Sequence, residues 1–126
     1  MTNKEINILG FGTMGKQIAI LFGLLGYKVN IFHRSFKSID TPLDKKFLLE
    51  KKIIEKNLNK ILTINFNFFD KPQDLECHLT FECLREDRKV KNDIISNLNY
   101  KKNIFSNTSS LVNSDFDFQI NFFHFM

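Results

Sequence analysis

Ile6-Asn7-Ile8-Leu9-Gly10-Phe11-Gly12-Thr13-Met14-Gly15-Lys16-Gln17-Ile18-Ala19 is the stretch that decides the fold. An apolar run comes first, then three glycines, then residues with helical periodicity. Gly10, Gly12 and Gly15 keep the G-x-G-x-x-G spacing, and each has a distinct physical task. One makes a tight turn, one lets backbone approach a pyrophosphate, and one lets the helix pack closely on the strand. The helix N-terminus adds unpaired N–H groups and a partial positive charge for that anion. All five glycines of the chain (10, 12, 15, 23 and 26) fall in this one segment.

The flanking sequence supplies the strand–helix–strand setting that the glycine loop requires. Residues 5–9 read as strand one, with Ile6 and Ile8 on one side. Helix one is expected from about Thr13 to Leu25, with Met14, Ile18, Leu21, Phe22 and Leu25 as its buried stripe. Gly15, Ala19 and Gly23 form a smooth ridge four residues apart, and Gly26 is the C-terminal stop. Strand two is Lys28 to Phe32. At its end this kind of fold ordinarily places an acidic residue about 20 residues beyond the glycines, for the adenosine ribose. Here the chain has His33-Arg34-Ser35, and the first carboxylate after that is Asp40. An arginine at that point suits a ribose 2′-phosphate, which leaves NADP open beside NAD. A solvated Arg34 is the equal alternative.

Further along, residues 42–61 read as a charged amphipathic helix with Leu43, Phe47, Ile54, Leu58 and Ile61 on one face. Its lysines are read as a solvated face, with contacts to a coenzyme A phosphate as the minor alternative. Residues 62–69 alternate as strand three, and a turn or short helix covers Asp70 to Glu76. Strand four is Leu79 to Cys83. The next helix starts near Glu86 and Asp87, where carboxylates are favoured, and its apolar face is Val90, Ile94 and Leu98. Ile104-Phe105 is strand five. The polar cluster Ser106-Asn107-Thr108-Ser109-Ser110 lies just past it, at the sheet edge where open α/β folds bind ligands. A plain Ser/Thr turn is the simpler account of that cluster. Alternation over Asp115 to Asn121 predicts a sixth strand. Phe122 to Met126 ends on apolar residues that call for a partner chain or a second copy as cover.

The 126 residues are expected to form one α/β domain over 1–126, a doubly wound, mainly parallel sheet with flanking helices of the Rossmann type. The chain is 43% hydrophobic and 25% charged, with a net charge of +4. That charge is too small to point to nucleic acid, and no nucleic-acid motif accompanies it. No apolar run reaches the ~18 residues of a membrane span, and residues 1–5 lead straight into strand one with no signal-peptide pattern. Cys77 and Cys83 at the two ends of one strand would lie roughly 20 Å apart, too far for a disulfide. Reduced cysteines place the chain in the cytoplasm. His33, His78 and His124 are scattered and no C-x-x-C occurs, so no metal site is expected.

Four segments in order resemble the NAD-binding domain of the 3-hydroxyacyl-CoA dehydrogenases. They are Gly10-Phe11-Gly12-Thr13-Met14-Gly15, the stretch from Phe81 to Lys91 with its Glu82, Glu86, Val90 and Lys91, Ser106-Asn107-Thr108-Ser109-Ser110-Leu111, and His124-Phe125-Met126. The resemblance implies an oxidoreductase of fatty-acid metabolism that moves hydride between C3 of a 3-hydroxyacyl-CoA and NAD. It implies that residues 10–15 hold the pyrophosphate, with His33 and Arg34 at the ribose. Glu86 and Lys91 contact the cofactor and Asn107 lies near the nicotinamide. Ser109 hydrogen-bonds the substrate oxygen and His124 is the general base. The chain departs from that pattern at His33, in a shorter segment between strands two and three, and in a shorter interval from Ser109 to His124. The family's glutamate that orients the histidine, and its helical substrate and dimerisation domain, have no counterpart in 1–126. A non-catalytic NAD(P)-binding module or remnant is the alternative, and a nucleotide-dependent interaction protein docking through its Phe-rich tail is a distant third.

Overall fold

A computed structural model describes residues 4–33, 45–59, 65–108 and 111–122. The order of elements is β1 (Glu5–Leu9), α1 (Thr13–Leu24), β2 (Lys28–Phe32), α2 (Lys45–Leu58), β3 (Asn65–Phe69), β4 (Thr80–Glu82), α3 (Arg88–Ser96), β5 (Ile104–Ser106) and β6 (Asn121–Phe122). Short 3-10 turns cover Pro72–Asp74 and Asn113–Asp115. The six strands form one parallel sheet in the order β3-β2-β1-β4-β5-β6. That is the order of the doubly wound dinucleotide-binding sheet, in which the winding reverses between β1 and β4.

The strands alternate, so the sheet has two different faces. Ile6, Ile8, Val29 and Ile31 form one core with Ile18, Ala19 and Ile20 of α1, and Ile54 of α2 packs against it. Leu9 and Phe32 point the other way, into a core with Ile94 and Ile95 of α3, Leu98, Ile104, Phe116 and Ile120.

The second face also carries a row of buried polar residues. Asn7, Asn30 and Thr80 stand side by side in register. Asn30 Nδ2 donates to Glu5 Oε2 at 2.5 Å and to Asn7 Oδ1 at 3.3 Å. Asn7 Nδ2 donates to the Cys77 carbonyl at 2.8 Å and to Thr80 Oγ1 at 3.2 Å. Each buried amide is thus paired, which removes the cost of burying it.

Gly26 ends α1 as expected. Its φ is +85°, a conformation glycine adopts without strain. Gly26 N–H donates to the Gly23 carbonyl and Tyr27 N–H to that of Phe22, while the Phe22 and Tyr27 rings meet at 5.0 Å. This is the Schellman closure with its apolar contact.

Several expectations need correction. Leu21 and Leu25 are 41% and 56% exposed, so they do not belong to the buried stripe of α1. The buried face is instead Gly15, Ile18, Ala19, Ile20 and Gly23. The glycine ridge sets the approach: a Cβ on Gly23 would already touch the Phe66 ring at 3.4 Å. Leu58 of α2 is exposed as well. Leu43, Ile61, residues 62–64 and the Phe47 side chain lie outside the described residues. The strand expected over Asp115 to Asn121 is reduced to Asn121–Phe122. Asn92 of α3 takes the backbone of its first part: Asn92 Nδ2 donates to the Asp115 carbonyl, and Asp117 N–H donates to Asn92 Oδ1. Phe116 and Ile120 are buried without a continuous ladder.

Candidate functional site

The three glycines of the loop perform three tasks. Gly10 has φ +94°, and its N–H donates to the Phe32 carbonyl at 2.9 Å. A Cβ there would lie 2.7 Å from the Cys83 carbonyl oxygen, so β1 and β4 pinch together at the switch point. A Cβ on Gly15 would collide with the Gly10 carbonyl, which is how the first turn of α1 sits so near the strand. Gly12 is different: nothing stands within 4 Å of where its Cβ would be. It is the N-cap of α1 and supplies no side-chain cap. The N-terminus of α1 thus has open space at Gly12 and no side-chain cap, a place that suits an anion.

Two clefts meet at this point. One, of about 500 Å³, is lined by Gly10, Phe11, Gly12, Phe32, His33, Cys83, Leu84, Arg85 and Ile94. The other, of about 250 Å³, is lined by Met14, Glu82, Cys83, Leu84, Glu86, Lys91 and Asn107. They share Cys83 and Leu84 and run along the C-terminal edge of the strands, where open α/β sheets bind ligands. An apolar hollow between α1 and α2 of about 420 Å³, lined by residues such as Ile20, Leu21 and Ile53, lies away from this edge.

Of the residues expected at the site, Gly10, Phe11, Gly12 and His33 line the first cleft and Met14, Glu86, Lys91 and Asn107 the second. Thr13 is exposed at the first turn of α1 and Gly15 is buried beneath it. Arg34, Ser109 and His124 lie outside the described residues.

A buried polar cluster underlies the second cleft. Glu82 is fully buried and Lys91 is 2% exposed. Lys91 Nζ lies 2.6 Å from Glu82 Oε2, donates to the Leu84 carbonyl at 3.0 Å, and stands 3.5 Å from Glu86 Oε1. Glu82 also accepts from Leu84 N–H at 2.6 Å and from Ser106 Oγ at 2.5 Å. Glu86 in turn accepts from Thr108 Oγ1 at 2.7 Å. The Asn107 N–H donates to the Glu82 backbone carbonyl at 3.1 Å. The cluster thereby fixes Glu86 and Asn107, and no described buried side-chain polar atom lacks a partner.

Sequence reasoning gave no role to Glu82 or Thr108. The available signal was a glutamate inside a short strand beside Leu79 and Phe81, with a lysine nine residues on. Asp87 caps α3: its carboxylate accepts Val90 N–H at 3.0 Å, which holds it below the usual aspartate value.

At the other end, the Phe11 ring meets Phe68 edge-on at 5.2 Å and has His33 at 6.2 Å. Burial first, and the Lys16 ammonium second, push the His33 imidazole below its ordinary value. Between the clefts, burial and the neighbouring Glu82 raise the Cys83 thiol to about 12, partly offset by Lys91. It is an inert thiol at neutral pH. Cys77 and Cys83 are both free. No group of three or more metal-ligating side chains occurs among the described residues, and none of their helices is long and apolar enough to cross a membrane.

A glycine cradle at a helix N-terminus, on the switch point of a 3-2-1-4-5-6 parallel sheet, defines a dinucleotide-binding α/β domain. The family model for the 3-hydroxyacyl-CoA dehydrogenase NAD-binding domain matches residues 5–121, and the chain belongs to that family. NAD is accordingly the cofactor of this domain, and the open space at Gly12 fits its pyrophosphate. Among solved structures the chain is similar to a diketoreductase described for dual catalysis of dicarbonyl compounds (22% identity, TM-score 0.80, 100% of this chain and 51% of that one). It is also similar to (S)-3-hydroxybutyryl-CoA dehydrogenase PaaH1 from Ralstonia eutropha (20% identity, TM-score 0.76, 99% and 50%). A third is the dehydrogenase part of multifunctional enzyme 1 from C. elegans (30% identity, TM-score 0.68, 91% and 28%). The chain spans about half the length, or less, of these structures. No curated protein matches the sequence.

Proposed function

We propose that residues 1–126 form the single coenzyme-holding domain of an NAD-dependent 3-hydroxyacyl-CoA dehydrogenase. The observation that carries this reading is the open cradle at Gly12, on a cleft that shares Cys83 and Leu84 with the one gathering Met14, Glu86, Lys91 and Asn107. In this reading the N-terminus of α1 holds the pyrophosphate and the 500 Å³ cleft takes the adenosine side. Asn107 and Glu86 flank the nicotinamide, and the buried Glu82–Lys91 pair keeps them in place. Bound NAD supplies the hydride acceptor. Ser109 holds the substrate's C3 oxygen, and His124 takes the hydroxyl proton as C3 is oxidised. An acyl-CoA would be the substrate, and the substrate-binding half corresponds to the part of the relatives that this chain does not span.

Titration of NADH, followed by its own fluorescence, tests the reading in a chain without tryptophan. Micromolar binding together with acetoacetyl-CoA-dependent oxidation of NADH is the expected result for a working dehydrogenase. Binding without turnover supports a non-catalytic module, and a folded protein that binds no NADH sinks the assignment.

A further inference from the structure

The end of β2 is where a dinucleotide-binding sheet chooses between NAD and NADP. An Asp or Glu there accepts hydrogen bonds from the ribose 2′-hydroxyl and repels a 2′-phosphate. In this chain β2 ends at Phe32 and the next residue is His33. His33 lines the larger cleft, and its backbone N–H donates to the Phe69 carbonyl at 3.0 Å, so its main chain is held at the cleft wall by the sheet itself. Among the described residues that line this cleft, none is a carboxylate.

Among the described residues, the charged side chain that lines the cleft is a cation. Arg85 lines the cleft directly, its guanidinium 3.7 Å from the Asp87 carboxylate and the side chain largely in solvent. Lys16 places its ammonium 5.6 Å from the centre of the Phe11 ring, which in turn lies 6.2 Å from the His33 ring. Lys16 is close enough to His33 to disfavour its protonation. Where such a site ordinarily holds the ribose hydroxyls with a carboxylate, this cleft has an imidazole, with Arg85 on the same lining and Lys16 beside the Phe11 ring.

We propose that the adenosine end of this cleft accepts a 2′-phosphorylated ribose, with His33 as the specificity-determining residue and Lys16 and Arg85 as the cations that favour the phosphate. NADPH then binds at least as tightly as NADH. The proposal rests on the dinucleotide reading above and adds the choice of dinucleotide to it.

The experiment is a paired titration of NADH and NADPH by fluorescence on the full chain, repeated on His33→Asp and Lys16→Ala. The expected result is a Kd for NADPH no larger than that for NADH. His33→Asp is expected to weaken NADPH by at least about tenfold, through a like charge beside the phosphate, while NADH is unchanged or tighter. Lys16→Ala is expected to weaken NADPH by roughly three- to tenfold and NADH by less than about twofold. Competition by 2′,5′-ADP against NADPH, measured beside 5′-ADP, reads the same preference without the nicotinamide. NADH binding with a larger Kd for NADPH overturns the proposal and leaves the dinucleotide site standing. So does a His33→Asp variant that weakens both dinucleotides equally. Failure of the folded protein to bind either dinucleotide overturns both readings.

Discussion

Replacing Lys91 by methionine removes the only cation bonded, among the described residues, to the fully buried Glu82 carboxylate while nearly keeping the side-chain volume. Removing one partner of a buried pair costs about 3–5 kcal/mol, because the remaining charge is uncompensated. Glu82 keeps two short donors, Leu84 N–H and Ser106 Oγ, so the lower end applies and about 3 kcal/mol is expected. For a chain of 126 residues the unfolding entropy is about 0.26 kcal/mol/K, so the melting temperature falls by about 11 °C. The companion variant Glu82→Gln with Lys91→Met removes both charges. A glutamine can still accept from Leu84 N–H through its oxygen and donate to Ser106 Oγ through its amide. The double variant is therefore expected to lose less than the sum of the two single ones, with a coupling of about 2 kcal/mol. Urea unfolding of the four proteins at pH 7 measures this cycle. A Lys91→Met loss under about 1 kcal/mol, or additive losses, would refute the claim that the pair is a mutually dependent buried unit.

Gly12→Asp is expected to raise the Kd for NADH by at least about a hundredfold, because a carboxylate would meet the pyrophosphate in the low-dielectric cradle. Its stability should stay within about 0.5 kcal/mol, since the Cβ meets nothing and aspartate is a favourable N-cap; a large loss of stability with unchanged affinity would contradict the site. Gly10→Ala should cost about 3 kcal/mol in urea unfolding, from the positive φ and the approach to the Cys83 carbonyl. Cys83 has a folded value of about 12 against 9.0 when unfolded. Its stabilising effect is thus complete below pH 9 and is lost as pH rises toward 12. The unfolding free energy from urea titration should fall between pH 8 and 10 by about 1.4 kcal/mol more in the wild type than in Cys83→Ala, and parallel pH profiles would count against the burial of that thiol.

Local signals in the sequence were enough for β1, the start of α1 at Thr13, the stop at Gly26 and the span of β2. Each depends on a turn, a cap or a short alternation that the chain carries within a few residues. The cradle was legible for the same reason, since the three glycines lie in six residues. The buried side of α1 was not, because apolar periodicity marked Leu21 and Leu25 while contact with the sheet is decided by how closely Gly15, Ala19 and Gly23 let the helix approach. The final strand misled because alternation over 115–121 is equally satisfied by burying Phe116 and Ile120 from an irregular segment, once Asn92 binds its backbone. The Glu82–Lys91 cluster is a meeting of β4, α3 and β5, and only the assembled sheet brings Ser106 to Glu82.

The polar row Glu5–Asn30–Asn7–Thr80 also bears on the order in which the chain can become native. Strands β1 and β2 with α1 form a contiguous unit of residues 5–32 that could assemble early, and Asn30 finds its partners inside that unit. Asn7 does not. Its amide donates to Cys77 and Thr80, about seventy residues downstream. Until β4 arrives, the side-chain amide of Asn7 lacks both of its native acceptors, so the polar row of the first unit is incomplete. A shift of β4 by one residue would turn Thr80 to the opposite face and leave that row incomplete again. Asn7 thus acts as a checkpoint: it ties the settling of the N-terminal half to the arrival of β4 in its one correct alignment.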